Sequence, residues 1–309
     1  MANSKIILAG GTGFLGAVLE KHFASLGWEV VVLTRKPSRD GEVAWDGESL
    51  GEWCRELEDA DAIVNLCGRS VDCRYTPANR RLIMDSRLKP TRAIGEAIAR
   101  CARPPQVWLN CSSATIYRHT FGTPWDETGA DFTPTHAVHD EFSLEVIHAW
   151  EGAFNTAPAP HTRKVALRTT MVLGHARNSV FPVLRRLARL GLGGRMGSGR
   201  QFVSWLHQED FCRAVEWLVS HEDVSGPVNL AAPNPLTNAE MMGLFRELVG
   251  MPAGLPAAEW MLEIGAFFLR TETELILKSR RVIPGKLLAG GFQFRYPTLQ
   301  AALQNLAAS

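Results

Sequence analysis

Seven residues near the start of the chain, Gly10-Gly11-Thr12-Gly13-Phe14-Leu15-Gly16, constrain the fold more than any others. They follow the apolar run Ile6-Ile7-Leu8-Ala9 and open a helix-period stretch, Phe14 to Leu26, that Gly27 ends. In a strand–turn–helix of this spacing, one glycine makes the tight turn, one lets a pyrophosphate approach and one lets the helix pack on the strand. The helix N-terminus then faces the phosphates. A tight turn that binds nothing is the plain alternative. The correctly spaced second apolar run, Glu29 to Thr34, favours a dinucleotide site with Gly10, Thr12, Gly13, Phe14, Leu15 and Gly16 as contacts.

The second run ends in Leu33-Thr34-Arg35-Lys36. An Asp or Glu at that point holds the ribose hydroxyls of NAD, and here the acid is missing. Two cations stand instead, which suits a 2′-phosphate through charge-assisted hydrogen bonds. Arg35 therefore predicts NADP as the cofactor.

Short apolar runs alternate with helix-period segments along the first half, which predicts an α/β fold: a Rossmann doubly wound parallel sheet. Further strands are expected at Val43 to Trp45, Asp61 to Leu66, Gln106 to Ser112 and Lys164 to Thr169, with helices over Arg87 to Cys101 and Asp140 to Asn155. Beyond Gly174 the regularity fades. Pro182 to Leu190 reads as a basic helix, Gly191 to Gly199 holds five glycines, and Thr237 to Glu240 forms a capping box. Residues 1–174 with about 202–232 are expected to form the NADP-binding domain, and about 175–201 with 233–309 a smaller C-terminal substrate-binding lobe.

Several segments resemble the extended short-chain dehydrogenase/reductase superfamily, and more closely its epimerase-like subfamily with a C-terminal domain of unknown function. Asp61-Ala62-Ile63-Val64-Asn65-Leu66-Cys67-Gly68 is similar to the superfamily's strand-four signature, and Ser112-Ser113-Ala114-Thr115-Ile116-Tyr117 to its strand-five serine motif. Asp85-Ser86-Arg87, Arg168-Thr169, Gly197-Ser198-Gly199-Arg200-Gln201 and Arg281-Val282-Ile283-Pro284-Gly285-Lys286 match at the subfamily level. The resemblance implies cofactor contacts from Leu66, Cys67 and Gly68, and a substrate oxygen held by Ser113. It implies a cofactor or substrate role for Arg87, where extended members usually have asparagine. Local backbone capping is the bland reading of Ser113.

The superfamily's Tyr-x-x-x-Lys pair, in which lysine lowers the tyrosine's pKa for proton transfer, is missing. Only Tyr75, Tyr117 and Tyr296 exist, followed four residues later by Asn79, Phe121 and Gln300. If Trp150-Glu151 marks the usual helix, Ser143 and Ile147 occupy the two positions. Tyr117, four residues after Ser113, is the candidate replacement, balanced against a role as pocket wall. His119 and Glu145 are weaker candidates.

Thirty-three basic against 32 acidic residues leave a charge of +1, so no global field draws the chain to nucleic acid or a membrane. Six cysteines without a C-x-x-C pair fit a reducing, cytoplasmic setting, and no histidine or cysteine spacing marks a metal site. Arginines 69, 74, 80, 81 and 87 cluster beside the presumed cleft, which suits a small substrate with a planar or anionic group, although Arg80 and Arg81 read as solvated. Val203 stands where nucleotide-sugar members usually carry a phosphate-binding arginine, which weighs against such a substrate. The leading expectation is an NADP-dependent oxidoreductase or epimerase-like enzyme. The missing pair keeps open a non-catalytic NADP-binding sensor, and a homodimer bundled through helices 87–101 and 140–155 is a third possibility.

Overall fold

The computed structural model of the chain describes residues 4–176, 179–269 and 272–308, without the side chains of 265–269. Strand β1 (Lys5–Ala9) lies inside the sheet, and Ile6, Ile7, Leu8 and Ala9 are all fully buried. An unbroken apolar run is what a strand covered on both faces requires. Its side chains divide between two cores. Ile6 and Leu8 pack with Leu19 and Phe23 of helix α1 (Phe14–Ser25) and Phe211 of α5 (Gln208–Ser220). Ile7 and Ala9 pack with Ala93, Ile94 and Ala97 of α2 (Pro77–Arg100) and Phe154 of α3 (Glu141–Thr156).

The main sheet is completed by β2 (Glu29–Thr34), β3 (Glu42–Ala44), β4 (Ala62–Asn65), β5 (Val107–Ser113), β6 (Arg163–Thr169) and β10 (Gly226–Leu230). Its seven strands run in the order β10-β6-β5-β4-β1-β2-β3, and every pairing is parallel. The doubly wound sheet expected from the sequence is present. Chain direction across it reverses between β1 and β4, and open sheets of this kind bind ligands outside the carboxyl ends of their strands at that reversal.

One element departs from expectation. Helix α2 starts at Pro77, not near Arg87, because Thr76 caps it by accepting the Asn79 amide at 3.3 Å and proline suits the first helical position. Pro90 lies buried inside the helix. A proline there reads as a break in sequence, yet the helix continues through it.

Outside the main sheet, β7 (Met171–Leu173) pairs with β9 (Trp205–His207) and β8 (Phe202–Val203) with β11 (Leu236–Thr237), and helices α4 (Val180–Arg189) and α6 (Asn238–Val249) lie in this part of the chain. The capping box is formed as read: Thr237 and Glu240 satisfy each other's backbone amides at the start of α6. Helix α7 (Glu259–Leu269) follows, then α8 (Glu274–Leu277), α9 (Gly285–Ala289) and α10 (Leu299–Ala308). Among the described residues no helix is long and apolar enough to cross a membrane.

Two buried ion pairs tie these parts together. Arg168 on β6 donates to both oxygens of Glu151 on α3, at 2.9 and 2.8 Å, and Ser112 donates to the same carboxylate at 2.6 Å. Lys278 meets Asp140, the residue before α3, at 2.7 Å with both side chains fully buried. Removing one partner of such a pair strands a charge in a low-dielectric interior. Glu151→Gln is therefore expected to lower unfolding stability by about 3–5 kcal/mol in urea titrations. An unchanged midpoint would mean that Arg168 is solvated.

His207 caps α5, its Nδ1 accepting the Glu209 amide at 3.1 Å, and its ring packs 4.0 Å from that of Tyr296. Burial pushes its pKa from 6.5 down to about 4. The unfolded chain then takes up the proton first as pH falls. Stability from this group is complete above about pH 6.5 and declines towards pH 4, by up to about 3 kcal/mol. His207→Asn keeps a capping acceptor and should flatten that part of the stability–pH curve.

Candidate functional site

Three glycines of the first turn face different surroundings. Gly10 has φ +73°, a left-handed conformation, and a Cβ there would come 2.8 Å from the Cys67 sulfur. A Cβ on Gly16 would lie 2.0 Å from the Gly11 carbonyl oxygen, so only glycine lets α1 seat against the turn. Gly13 is the opposite case. Nothing lies within 4 Å of the Cβ it lacks, and it caps α1 with no side chain on the first amides. That leaves an exposed cradle at a helix N-terminus, the arrangement that receives a phosphate. Thr12 is exposed beside it, Leu15 packs on the core, and Phe14 lies against Gly174.

The turn after β4 forms the neighbouring wall. Leu66 donates its amide to the Ala9 carbonyl at 2.9 Å, and the Cys67 amide is held by Asn65 Oδ1 at 3.1 Å. Asn65 is itself fixed by Asn110 at 2.7 Å. Burial pushes the Cys67 thiol up to about 12, which makes it an inert wall. Arg35 and Lys36 are exposed just past β2, with Arg35 in electrostatic reach of Cys67.

Next to this wall is a cavity of about 110 Å³, partly open to solvent. Arg87 links the two, because its guanidinium carbon lies 3.4 Å from where a Gly68 Cβ would stand and its side chain lines the cavity. It rests 5.1 Å over the Trp150 ring and donates to the carbonyls of Arg69 and Ile83. Burial without a countercharge lowers its pKa to about 10. Ser113, at the end of β5, also lines the cavity while accepting the Thr115 amide at 3.2 Å. The backbone-capping reading of this serine is met, and its place in the cavity wall leaves the O–H free to donate.

Residues 6–231 match the NAD dependent epimerase/dehydratase family, and residues 257–306 match DUF1731, a domain of unknown function. The chain belongs to the NAD dependent epimerase/dehydratase family. It is 31% identical to the bovine epimerase family protein SDR39U1 over 98% of this chain and 100% of that protein. Identity is 33% to the epimerase family protein MT2273 of Mycobacterium tuberculosis, covering 98% and 97% of the two chains. The human SDR39U1 isoform 2 structure with NADPH is similar at a TM-score of 0.86, 29% identity and 99% coverage of both chains. At 19% identity, the Bacillus cereus UDP-N-acetylglucosamine 4-epimerase shares the fold, with a TM-score of 0.75 over 99% of this chain and 96% of that one.

Within this family member the cavity is also lined by Ser143 and Ile147, the two residues expected at the tyrosine and lysine positions. The Ser143 hydroxyl donates to Glu274 at 2.6 Å, and the Tyr75 phenol lies in hydrogen-bonding reach of Ser143. Burial pushes Tyr75 up to about 12 and raises Glu274. Glu274 pairs with Arg280 at 3.5 Å, and Arg280 Nε donates to the Thr115 hydroxyl at 3.0 Å. Tyr75, Thr115 and Arg280 line the cavity, with Glu274 directly behind Ser143. None of the four stands out from sequence spacing. The signals were Tyr75 lying among the clustered arginines and Arg280 directly preceding the terminal motif.

Tyr117 is a correction. It is 2% exposed, its hydroxyl donates to Asn229 at 2.9 Å and accepts from Arg168 at 3.0 Å, and it is absent from the cavity lining. With both hydrogen-bonding roles taken inside the protein, it is not placed to hand a proton to a ligand. His119 accepts the Ser279 amide at 2.9 Å, and Glu145 points to solvent from α3. Arg80 covers the Phe142 ring at 4.5 Å, Arg81 is exposed, and Trp205 is core. No group of three or more metal-ligating side chains exists among the described residues.

Proposed function

We propose that this family member is an NADP(H)-dependent oxidoreductase or epimerase-like enzyme acting on a hydroxyl or carbonyl of a small polar molecule. The observation that carries the reading is the single cavity that holds Ser113 and Arg87 directly beside the Gly68 turn, at the carboxyl ends of β4 and β5. Its position agrees with the rule for open α/β sheets. The open cradle at Gly13 fits a pyrophosphate, with Gly10, Thr12, Phe14, Leu15 and Gly16 shaping it. Leu66, Cys67, Gly68 and Arg87 would flank the far half of the cofactor, and Arg35 with Lys36 the 2′-phosphate. NADPH in the human SDR39U1 structure supports that choice.

Bound there, a nicotinamide supplies or accepts a hydride. The Ser113 hydroxyl donates to the substrate oxygen. Tyr75 takes the proton-handling role first assigned to Tyr117, because its phenol reaches both the cavity and Ser143. Glu274 accepts the Ser143 hydroxyl and so orients that serine beside the Tyr75 phenol. Residues 175–201 and 233–309 serve as the substrate-binding lobe, which contributes Glu274 and Arg280. Six cysteines, all free, suit a reducing compartment such as the cytoplasm. A non-catalytic NADP-binding protein is the second reading, favoured by Ser143 and Ile147 at the usual catalytic positions.

Binding comes first. Fluorescence titration is expected to show NADPH bound more tightly than NADH, with Arg35→Ala losing about tenfold or more for NADPH alone. Equal affinities in the wild type would sink the 2′-phosphate assignment. Gly13→Val should keep the fold, since its side chain meets nothing, while abolishing NADPH binding.

Turnover of a carbonyl panel with NADPH tests the chemistry. Ser113→Ala and Tyr75→Phe are each expected to lower the rate by roughly 10²–10⁴-fold, the usual worth of a positioned acid or base. Tyr117→Phe should chiefly reduce stability. Full activity in Tyr75→Phe would refute the proton assignment.

A further inference from the structure

We propose that the cavity selects a compact monocarboxylate with an apolar body, held by a charge pair between its carboxylate and Arg87. The inference rests on the function proposed above only in taking this cavity as the substrate site.

The charge inventory comes first. Two guanidinium groups line the cavity, and they are not equivalent. Arg280 is matched by Glu274 at 3.5 Å and bonded to Thr115. Arg87 forms no ion pair with any carboxylate among the described residues, and its acceptors in the structure are two backbone carbonyls, at 3.1 and 3.0 Å. One positive charge is therefore left over in the cavity. The Trp150 ring, 5.1 Å away, holds that guanidinium in place, and a planar fork of donors matches a carboxylate. In partly dry surroundings a single negative charge balances it, whereas a doubly charged phosphate would leave an uncompensated charge.

The walls argue for the rest of the ligand. Val71, Ile83, Phe142, Val146, Ile147 and Leu275 surround the site with hydrocarbon. The hydroxyls nearby are few: Ser143 spends its proton on Glu274, while Ser113 and Thr115 accept from the Thr115 amide and Arg280 and keep one O–H each to donate. Few groups remain to meet the hydroxyls of a sugar, while an aliphatic or aromatic body buries its surface against the walls.

Benzoate, its neutral isostere benzamide and inorganic phosphate are the probes, titrated calorimetrically into the full-length protein with and without saturating NADP⁺. Benzoate is expected to bind one per chain, at least about tenfold more tightly than either benzamide or phosphate. Arg87→Met should cost benzoate about tenfold or more and leave benzamide unchanged. Benzamide or phosphate binding as well as benzoate, no benzoate binding in either condition, or benzoate binding that survives Arg87→Met would each overturn the proposal. The wild-type probe comparison stands even if Arg87→Met fails to fold. NADP⁺ affinity of the wild-type protein and of Arg35→Ala reports separately on the cofactor reading, so the two can fail independently.

Discussion

The pair between Arg168 and Glu151 decides where the substrate side of this molecule sits. Both oxygens of Glu151 are engaged by one guanidinium, and Ser112 adds a third bond. Desolvation consumes much of what a buried pair gains, so its larger contribution is geometric: a bidentate contact has one arrangement. Glu151 lies four residues after Ile147 and eight after Ser143, on the same face of α3. Anchoring Glu151 to β6 therefore fixes how far the two preceding turns reach over the end of β5. The same guanidinium holds Tyr117, which holds Asn229, whose amides meet Glu127 and the Ile283 carbonyl. The chain of bonds runs from sheet to terminal segment without crossing solvent.

The terminal segment reaches the site by the same kind of joint. Lys278 spans to Asp140 and to the Thr115 carbonyl, at 2.7 Å each, and so meets both the start of α3 and the turn after β5. Glu274 and Arg280 on either side of it are carried to Ser143 and Thr115. This gives the region matching DUF1731 a structural part in the cavity. A lobe that only covered the cleft would not need two buried charges to set its register.

What the sequence reveals and conceals follows from the range of the forces involved. The glycine turn, the both-faces-buried strands and the Thr237–Glu240 cap depend on residues a few positions apart, and their patterns are legible directly. Tyr117 was misplaced because spacing from Ser113 does not give direction: the short turn at Ala114–Ile116 swings the phenol back between β6 and β10. The start of α2 was missed because its signals, Thr76 as cap and Pro77 at the first helical position, lie about ten residues before the segment read as helical. Tyr75 and Glu274 lie almost 200 residues apart in sequence and acquire a joint role only through tertiary packing. Spacing carries no trace of such a pair.

If Ser143 and Ile147 stand where the superfamily has its tyrosine and lysine, the exchange changes the character of the site more than it empties it. A lysine at position 147 would place a second unpaired cation across the cavity from Arg87. Isoleucine there turns that wall apolar and leaves Arg87 as the one lining cation not neutralised by a described partner. Ser143 is too short to reach a substrate as a phenol would, but it is long enough to join Tyr75 to Glu274. The cofactor half keeps its glycine geometry, because pyrophosphate binding tolerates little variation in backbone. The cavity is walled by residues on α2, α3 and the terminal segment, so under the proposed assignment the charge and the proton donor sit on different elements from those of the Tyr-x-x-x-Lys pair, an arrangement suited to a small acid with an apolar body.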